Sequence, residues 1–258
     1  MHFMHMAWLN FKGQRAAFNL EEFLLLETAY PFFTLIFYCV LASYAYGTTN
    51  IIDWVIGNSF LLCTNICVFS LGNCFVSERY FGRIRSIIVG SASKIEIILE
   101  KGFFHAIVGL FTTFLGFYMG CLVFNISWTD IPFGELICVY AIAMISAVGF
   151  GLFLAVLGLL SNQMHLILNL TQYILLIFTG ANFPINQLPI VLQKFSLILP
   201  LSRSIESSRK IISGEGLKEV ASLLVGDLCV GMVYIALAIA IVSCVERIAI
   251  KKGTLELF

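Results

Sequence analysis

Charge is the scarcest resource in this sequence. Only 12% of its 258 residues are Asp, Glu, Lys or Arg, and the 15 basic and 15 acidic side chains cancel. So little charge excludes a soluble domain, because 60% hydrophobic residues and a mean hydropathy of +0.96 exceed what one water-facing core can hide. The zero net charge says nothing about a partner, and no basic face resembles a nucleic-acid site. Histidine is limited to four residues, and neither His105 nor His165 has an acid cluster near it in sequence, which leaves an intramembrane enzyme as the least favoured alternative. No G-x-x-x-x-G-K-[ST] phosphate loop occurs, so these residues do not bind ATP as a P-loop enzyme does. No short apolar core with a small-residue cleavage motif precedes the first long apolar run, so no cleaved targeting segment is expected.

What the sequence has is continuous apolar runs near the ~20 residues that a helix needs to cross hydrocarbon. They do not alternate with the pleat of a barrel strand, so they predict helices. Six spans are expected: Ala29 to Tyr46, Ile51 to Val76, Gly102 to Phe124, Glu135 to Leu160, Met164 to Gly180 and Val220 to Val245. Residues 1–258 then form a single all-α transmembrane domain with both termini on one side. Lys12, Arg15, Arg79, Arg83, Arg85, Lys94, Lys101, Arg247, Lys251 and Lys252 gather on that side, while the first two opposite loops have no Lys or Arg. By the positive-inside rule the termini face the cytoplasm, in a multi-pass protein of the cell (plasma or inner) membrane. The third outer loop departs from the rule with Lys194, Arg203, Arg209, Lys210 and Lys218, partly offset by Glu206, Glu215 and Glu219.

All eight cysteines fall within the predicted spans. Cys63, Cys67 and Cys74 share a helical face, but without a neighbouring His or acid they read as buried, reduced packing residues, and no metal is expected. Residues 1–28 form a cytoplasmic or interfacial segment. Within it FNLEEFLLLETAYP, with Asn19 as a cap and Glu21 and Glu22 in the first turn, reads either as a helix on the membrane surface or as the start of a long first span. Residues 77–101 make the long cytoplasmic loop, where Arg79, Arg83 and Arg85 alternate with apolar residues. Gly90 breaks it, Ser91 or Ser93 can cap the next helix, and Glu96 and Glu100 lie near Lys101.

Three of the five prolines, Pro184, Pro189 and Pro200, fall in residues 181–216. The eleven residues from Pro189 to Leu199 would be about 16 Å long as a helix, half a bilayer core, and cannot span. Pro189 suits a first turn and Pro200 a stop; Ser202 or Ser204 can cap a second, amphipathic helix with Glu206 paired to Lys210 and an end at Ser213 and Gly214. The expectation is a short helix dipping into the outer leaflet, then one lying along it. An ordinary amphipathic surface loop is the alternative.

The SER-x-x-G loop at Ser77 to Gly82, with TG-x-x-FP-x-x-x-LP from Thr179, LPLS from Leu199 and IE-x-x-R from Ile205, resembles the permease subunits of the ABC-2 class of ATP-binding-cassette transporters. The resemblance implies six transmembrane helices, an N-terminal interfacial helix, a cytoplasmic coupling helix between helices 2 and 3, and a re-entrant outer hairpin between helices 5 and 6. It implies ATPase coupling at Glu78, Arg79, Gly82, Arg83 and Arg85 and an outer gate at Pro184, Pro189, Pro200, Glu206 and Arg209. It also implies a second permease subunit, in a homodimer or heterodimer, and a separate P-loop ATPase that uses ATP-Mg, none of it bound by this chain. Where the family often has Gly-Thr and a later proline, this chain has Gly82-Arg83 and Gly90-Ser91-Ala92-Ser93. The expected cargo is a drug, lipid or hydrophobic peptide.

An ion-gradient carrier or channel is the main alternative. Such proteins place ionisable groups deep in the membrane, and only Asp227 lies far enough inside, with no partner evident from sequence; an interhelical hydrogen bond, or a contact in the substrate path or dimer seam, accounts for it at least as well. Asn169, Thr171 and Gln172 form a polar knot at mid-membrane, expected to bind helices together or to line a substrate path or dimer seam.

Overall fold

The computed structural model describes residues 2–15, 29–48, 51–83, 93–127, 131–161 and 163–252, and among these there is no strand. The helices are α1 (His2–Arg15), α2 (Tyr30–Tyr46), α3 (Ile52–Thr64), α4 (Cys74–Tyr80), α5 (Lys94–Val123), α6 (Phe133–Leu157), α7 (Met164–Phe178), α8 (Ile190–Ser196), α9 (Ser202–Ile212) and α10 (Leu217–Lys252). A π-helical stretch, Asn65–Ser70, follows α3, so that Ile52–Tyr80 forms one rod of 29 residues. That rod, α5, α6 and α10 are each long and apolar enough to cross a membrane. Helices α2 and α7, of 17 and 15 residues, are apolar but shorter. The segment 16–28, Arg85, and the break and caps expected at Gly90 and Ser91 lie outside the described residues.

Helix α6 is the centre. It is apolar all round, and two thirds of its most apolar window is buried, which is the signature of a helix packed on more than one side. With lipid as the alternative surroundings, hydrophobicity does not drive such packing; close fit does, and small residues allow it. On one side Gly149 meets α10 so closely that an added Cβ would lie 2.5 Å from the carbonyl oxygen of Gly231. On the opposite side a Cβ on Gly151 would overlap the carbonyl oxygen of Cys67, in the π-helical stretch. The π-helical stretch thus lies where α6 makes this close approach. Tyr140 fills the centre of α6, fully buried, with its ring 4.6 Å from that of Phe60 and 6.2 Å from that of Phe117.

Cys63 and Cys67 are fully buried, with Cys67 Sγ 3.0 Å from where a Cβ on Gly109 of α5 would stand. This is the packing role the sequence suggests. Cys39, Cys74 and Cys121 are buried as well, but Cys138, Cys229 and Cys244 are exposed, on outward faces of α6 and α10. Burial within a span and burial within the protein are different things, and sequence hydropathy reports only the first.

Helix boundaries run past the predicted ones where charge is tolerated. Helix α5 begins at Lys94, directly after Ser93, one of the two serines expected to cap the helix leading into the span from Gly102; Ser93 holds the cap position without a side-chain cap hydrogen bond, and buried Ile98 carries the apolar face back to that start. Helix α1 was not expected. Its Phe3, Ala7, Asn10 and Phe11 recur at helical spacing and lie on the start of α5, with Phe3 against Phe103 at 5.8 Å and Trp8 against Phe104 at 5.2 Å. Asn10 Nδ2 donates to Glu100 at 3.0 Å.

Candidate functional site

Polar chemistry in this apolar chain collects in three places. At the end where α4 stops and α5 starts, Glu78 is buried and its carboxylate accepts from two cations. Lys101 Nζ lies 2.9 Å from Oε1, and Arg83 Nε lies 2.7 Å from Oε2. The chain folds back here because Gly82 adopts φ +69°, a left-handed conformation that glycine takes without strain, and Arg83 N–H donates to the Glu78 carbonyl at 2.8 Å. Lys101, only 2% exposed, also rests 5.4 Å from the Phe75 ring centroid. The sequence pairs it with Glu96 or Glu100 by local spacing. The structure gives it to Glu78 across helices instead, while Glu100 faces α1. Tyr80 and Phe81 at the tip are 86% and 60% exposed, and Arg79 beside them is half-buried.

At the opposite end the turn after α7 rests on the first turns of α3. Trp54 Nε1 donates to the Asn182 carbonyl at 3.2 Å, and Asn58 Nδ2 donates to Asn182 Oδ1 at 2.9 Å. Arg209 of α9 holds the same junction, donating through Nη2 to the carbonyls of Asp53 and Ala181, each at 3.0 Å. Burial draws the Arg209 guanidinium below its ordinary value, and the carboxylates of Asp53 and Glu206 oppose that. Arg209→Met should therefore orphan the Ala181 carbonyl and lower stability by about 1–3 kcal/mol, with Arg209→Lys in between, measured as thermal unfolding in detergent.

The short helices differ in detail from expectation. Pro184 opens a single 3-10 turn, Ile185–Gln187; Pro189 stands just before α8 rather than in its first turn. Helix α8 has seven residues and ends at Ser196, so Pro200 lies beyond its end instead of terminating it. Glu206 and Lys210 do pair, at 3.8 Å, and α9 ends at Ile212 before Gly214 at φ +102°. Neither Ser202 nor Ser204 caps α9; the cap position is Leu201.

The third place is the centre. Asp227 of α10 is fully buried, and it has the partners that sequence did not reveal. Ser146 of α6 donates to it at 3.1 Å, and Ser204 of α9 donates to its other oxygen. Those serines lie 81 and 23 residues away in sequence, and no periodicity reports such pairs. The expected polar knot in α7 separates. Thr171 is buried and Asn169 is exposed, its amide donating to its own helix at His165 O. Successive residues on a helix point about 100° apart, so neighbours in sequence do not share a face. Gln172 lines a cleft between α2, α3 and α7 together with Thr34, Asn58, Thr64, Asn65 and Leu176. Among the described residues no three of His, Cys, Asp and Glu come together to hold a metal.

A family model described as ABC-2 type transporter matches residues 8–213, from within α1 through the end of α9. No curated protein matches the chain.

Proposed function

The chain belongs to the ABC-2 type transporter family and is a membrane transport component; from this premise we propose that it is the permease subunit of an ATP-driven exporter, working as one of two permease subunits on a separate P-loop ATPase. The observation that carries the reading is the extent of the family match. It runs through the Glu78 segment and the outer short helices alike, while the 258 residues contain no phosphate loop of their own.

In this reading six spans arise by adding α2 and α7 to the four long helices. Their lengths, about 26 and 22 Å at 1.5 Å per residue, approach the hydrocarbon thickness. The Glu78 end is cytoplasmic and α8 and α9 are external. The basic residues of the outer loop, which weaken the charge rule, are partly accounted for by Arg209, whose guanidinium binds carbonyls within the fold. ATP-Mg closes the partner ATPase, and the segment 77–101 receives the motion. Glu78, held by Lys101, passes it to α5, and the permease subunits rock so that a path between them opens outward. The cleft beside Gln172, with amides and hydroxyls among apolar side chains, suits an amphipathic cargo such as a drug, a lipid or a hydrophobic peptide. Asp227 is the group an ion-driven carrier would use instead, which makes the driving force the quantity to test.

The exposed Tyr80 and Phe81, with Arg85 further along the same sequence segment, are the contacts proposed for the ATPase. Tyr80→Ala combined with Arg85→Glu should abolish co-purification of the ATPase while the chain still inserts into membranes at the wild-type level. Unchanged assembly and transport would remove this segment from the mechanism.

A further inference from the structure

The partners of Asp227 have a geometry beyond simple satisfaction of a buried acid. Helix α9 begins at Leu201, a bulky residue at φ +71° and fully buried, and no side chain of α9 itself caps its first turn. A left-handed leucine is strained by about 1–3 kcal/mol and persists only where surrounding contacts fix it. Beside it, the first turn of α9 is held from α10. The Asp227 carboxylate accepts from the Ser204 hydroxyl, three residues into α9. A carboxylate there stands at the positive end of the helix, where an anion is favoured, but it is supplied by another helix. Gly226, just before it, leaves room for Arg203 to cross α10; a Cβ there would stand 2.9 Å from Arg203 Cδ. One turn later Gly231 touches Ser146 of α6, the helix whose hydroxyl also binds Asp227.

Helix α8 is held differently. Ile190 and Val191 are 70% and 73% exposed, Phe195 lies against Phe178 of α7 at 5.7 Å, and just past the helix end Tyr234 of α10 donates to the Ile198 carbonyl at 3.1 Å.

We infer that Asp227 is a positioning residue that pins the first turn of α9 to the α6–α10 crossing, so that the start of α9 follows α10 through Asp227 while α8 does not depend on that contact. The two outer helices are then held by separate contacts rather than as a single lid. Ion binding is not needed for this role, and neither is the ATP-driven reading.

Hydrogen exchange of the full chain in lipid nanodiscs tests it, read by mass spectrometry on separate peptides from α3, α6, α8 and α9. Asp227→Ala should accelerate exchange in the first turns of α9 about tenfold or more, leaving α3, α6 and α8 at wild-type rates. Asp227→Asn, which keeps an acceptor, should stay within about threefold of wild type. Unchanged α9 exchange in Asp227→Ala, or equal acceleration of α3, α6, α8 and α9, overturns the inference. Should Asp227→Ala fail to fold, Ser204→Ala must accelerate α9 alone and Ser146→Ala must leave α9 at its wild-type rate; equal behaviour of the two variants contradicts the pin.

Discussion

Glu78→Ala should destabilise the protein by about 3–5 kcal/mol, the usual consequence of removing one member of a buried ion pair. The loss is that large because the remaining group is Lys101, 2% exposed, whose ammonium cannot reach water from its place beside Phe75. Arg83 loses the same partner and leaves a second cation next to the first. A matched apolar pair, Glu78→Leu with Lys101→Met, should regain most of the stability, since buried pairs seldom outperform apolar residues of similar size. Stability and coupling then separate. The double variant should fold and bind the proposed partner ATPase, yet hydrolysis should no longer drive transport at the wild-type ratio. Thermal unfolding of each variant, followed by transport per ATP hydrolysed, checks both parts. A double variant with normal coupling would show that the pair is architecture only.

Gly151→Val should have the largest effect on folding itself, about 3 kcal/mol or more, because the obstacle is backbone rather than a movable side chain. The added Cβ would overlap the carbonyl oxygen of Cys67, so α6 and the π-helical stretch must part along a seam that the core depends on. Very little folded protein is expected in the membrane fraction. Gly134→Ala is the control on the same helix. Nothing lies within 4 Å of its added Cβ, and the substitution should be neutral or stabilise by up to about 1 kcal/mol through helix propensity. Fluorescence-detected size exclusion of the two variants decides the point; similar profiles would show that the close approach at Gly151 is not required.

Local properties of this fold were legible in the sequence, and relations between helices were not. The apolar segments, the short broken helices near Pro189, the Glu206–Lys210 pair and the end of α9 at Gly214 all follow from composition or from residues within four positions of one another. The resemblance places Glu78 in the ATPase-coupling region, and sequence does not report that its carboxylate accepts from Lys101, a partner 23 residues away. Asp227 looked isolated for the same reason. Ser202 and Ser204 have the chemistry of caps, but the Ser204 hydroxyl donates to Asp227 of α10 and the cap position falls to Leu201. Helix α1 did carry a signal, the spacing of Phe3, Ala7 and Phe11, which its weak amphipathicity and the stronger apolar run after it obscured.

The driving force is the claim on which the rest depends, and one reconstitution addresses it. The chain, its co-purifying ATPase and an amphipathic fluorescent cargo are placed in proteoliposomes, and cargo movement is followed with ATP-Mg, with a non-hydrolysable analogue, and with an ion gradient alone. The account predicts movement only with hydrolysable ATP, ATPase turnover stimulated by the chain, and loss of both when the ATPase is omitted. Movement by the chain alone on an ion gradient, without ATP, would contradict it.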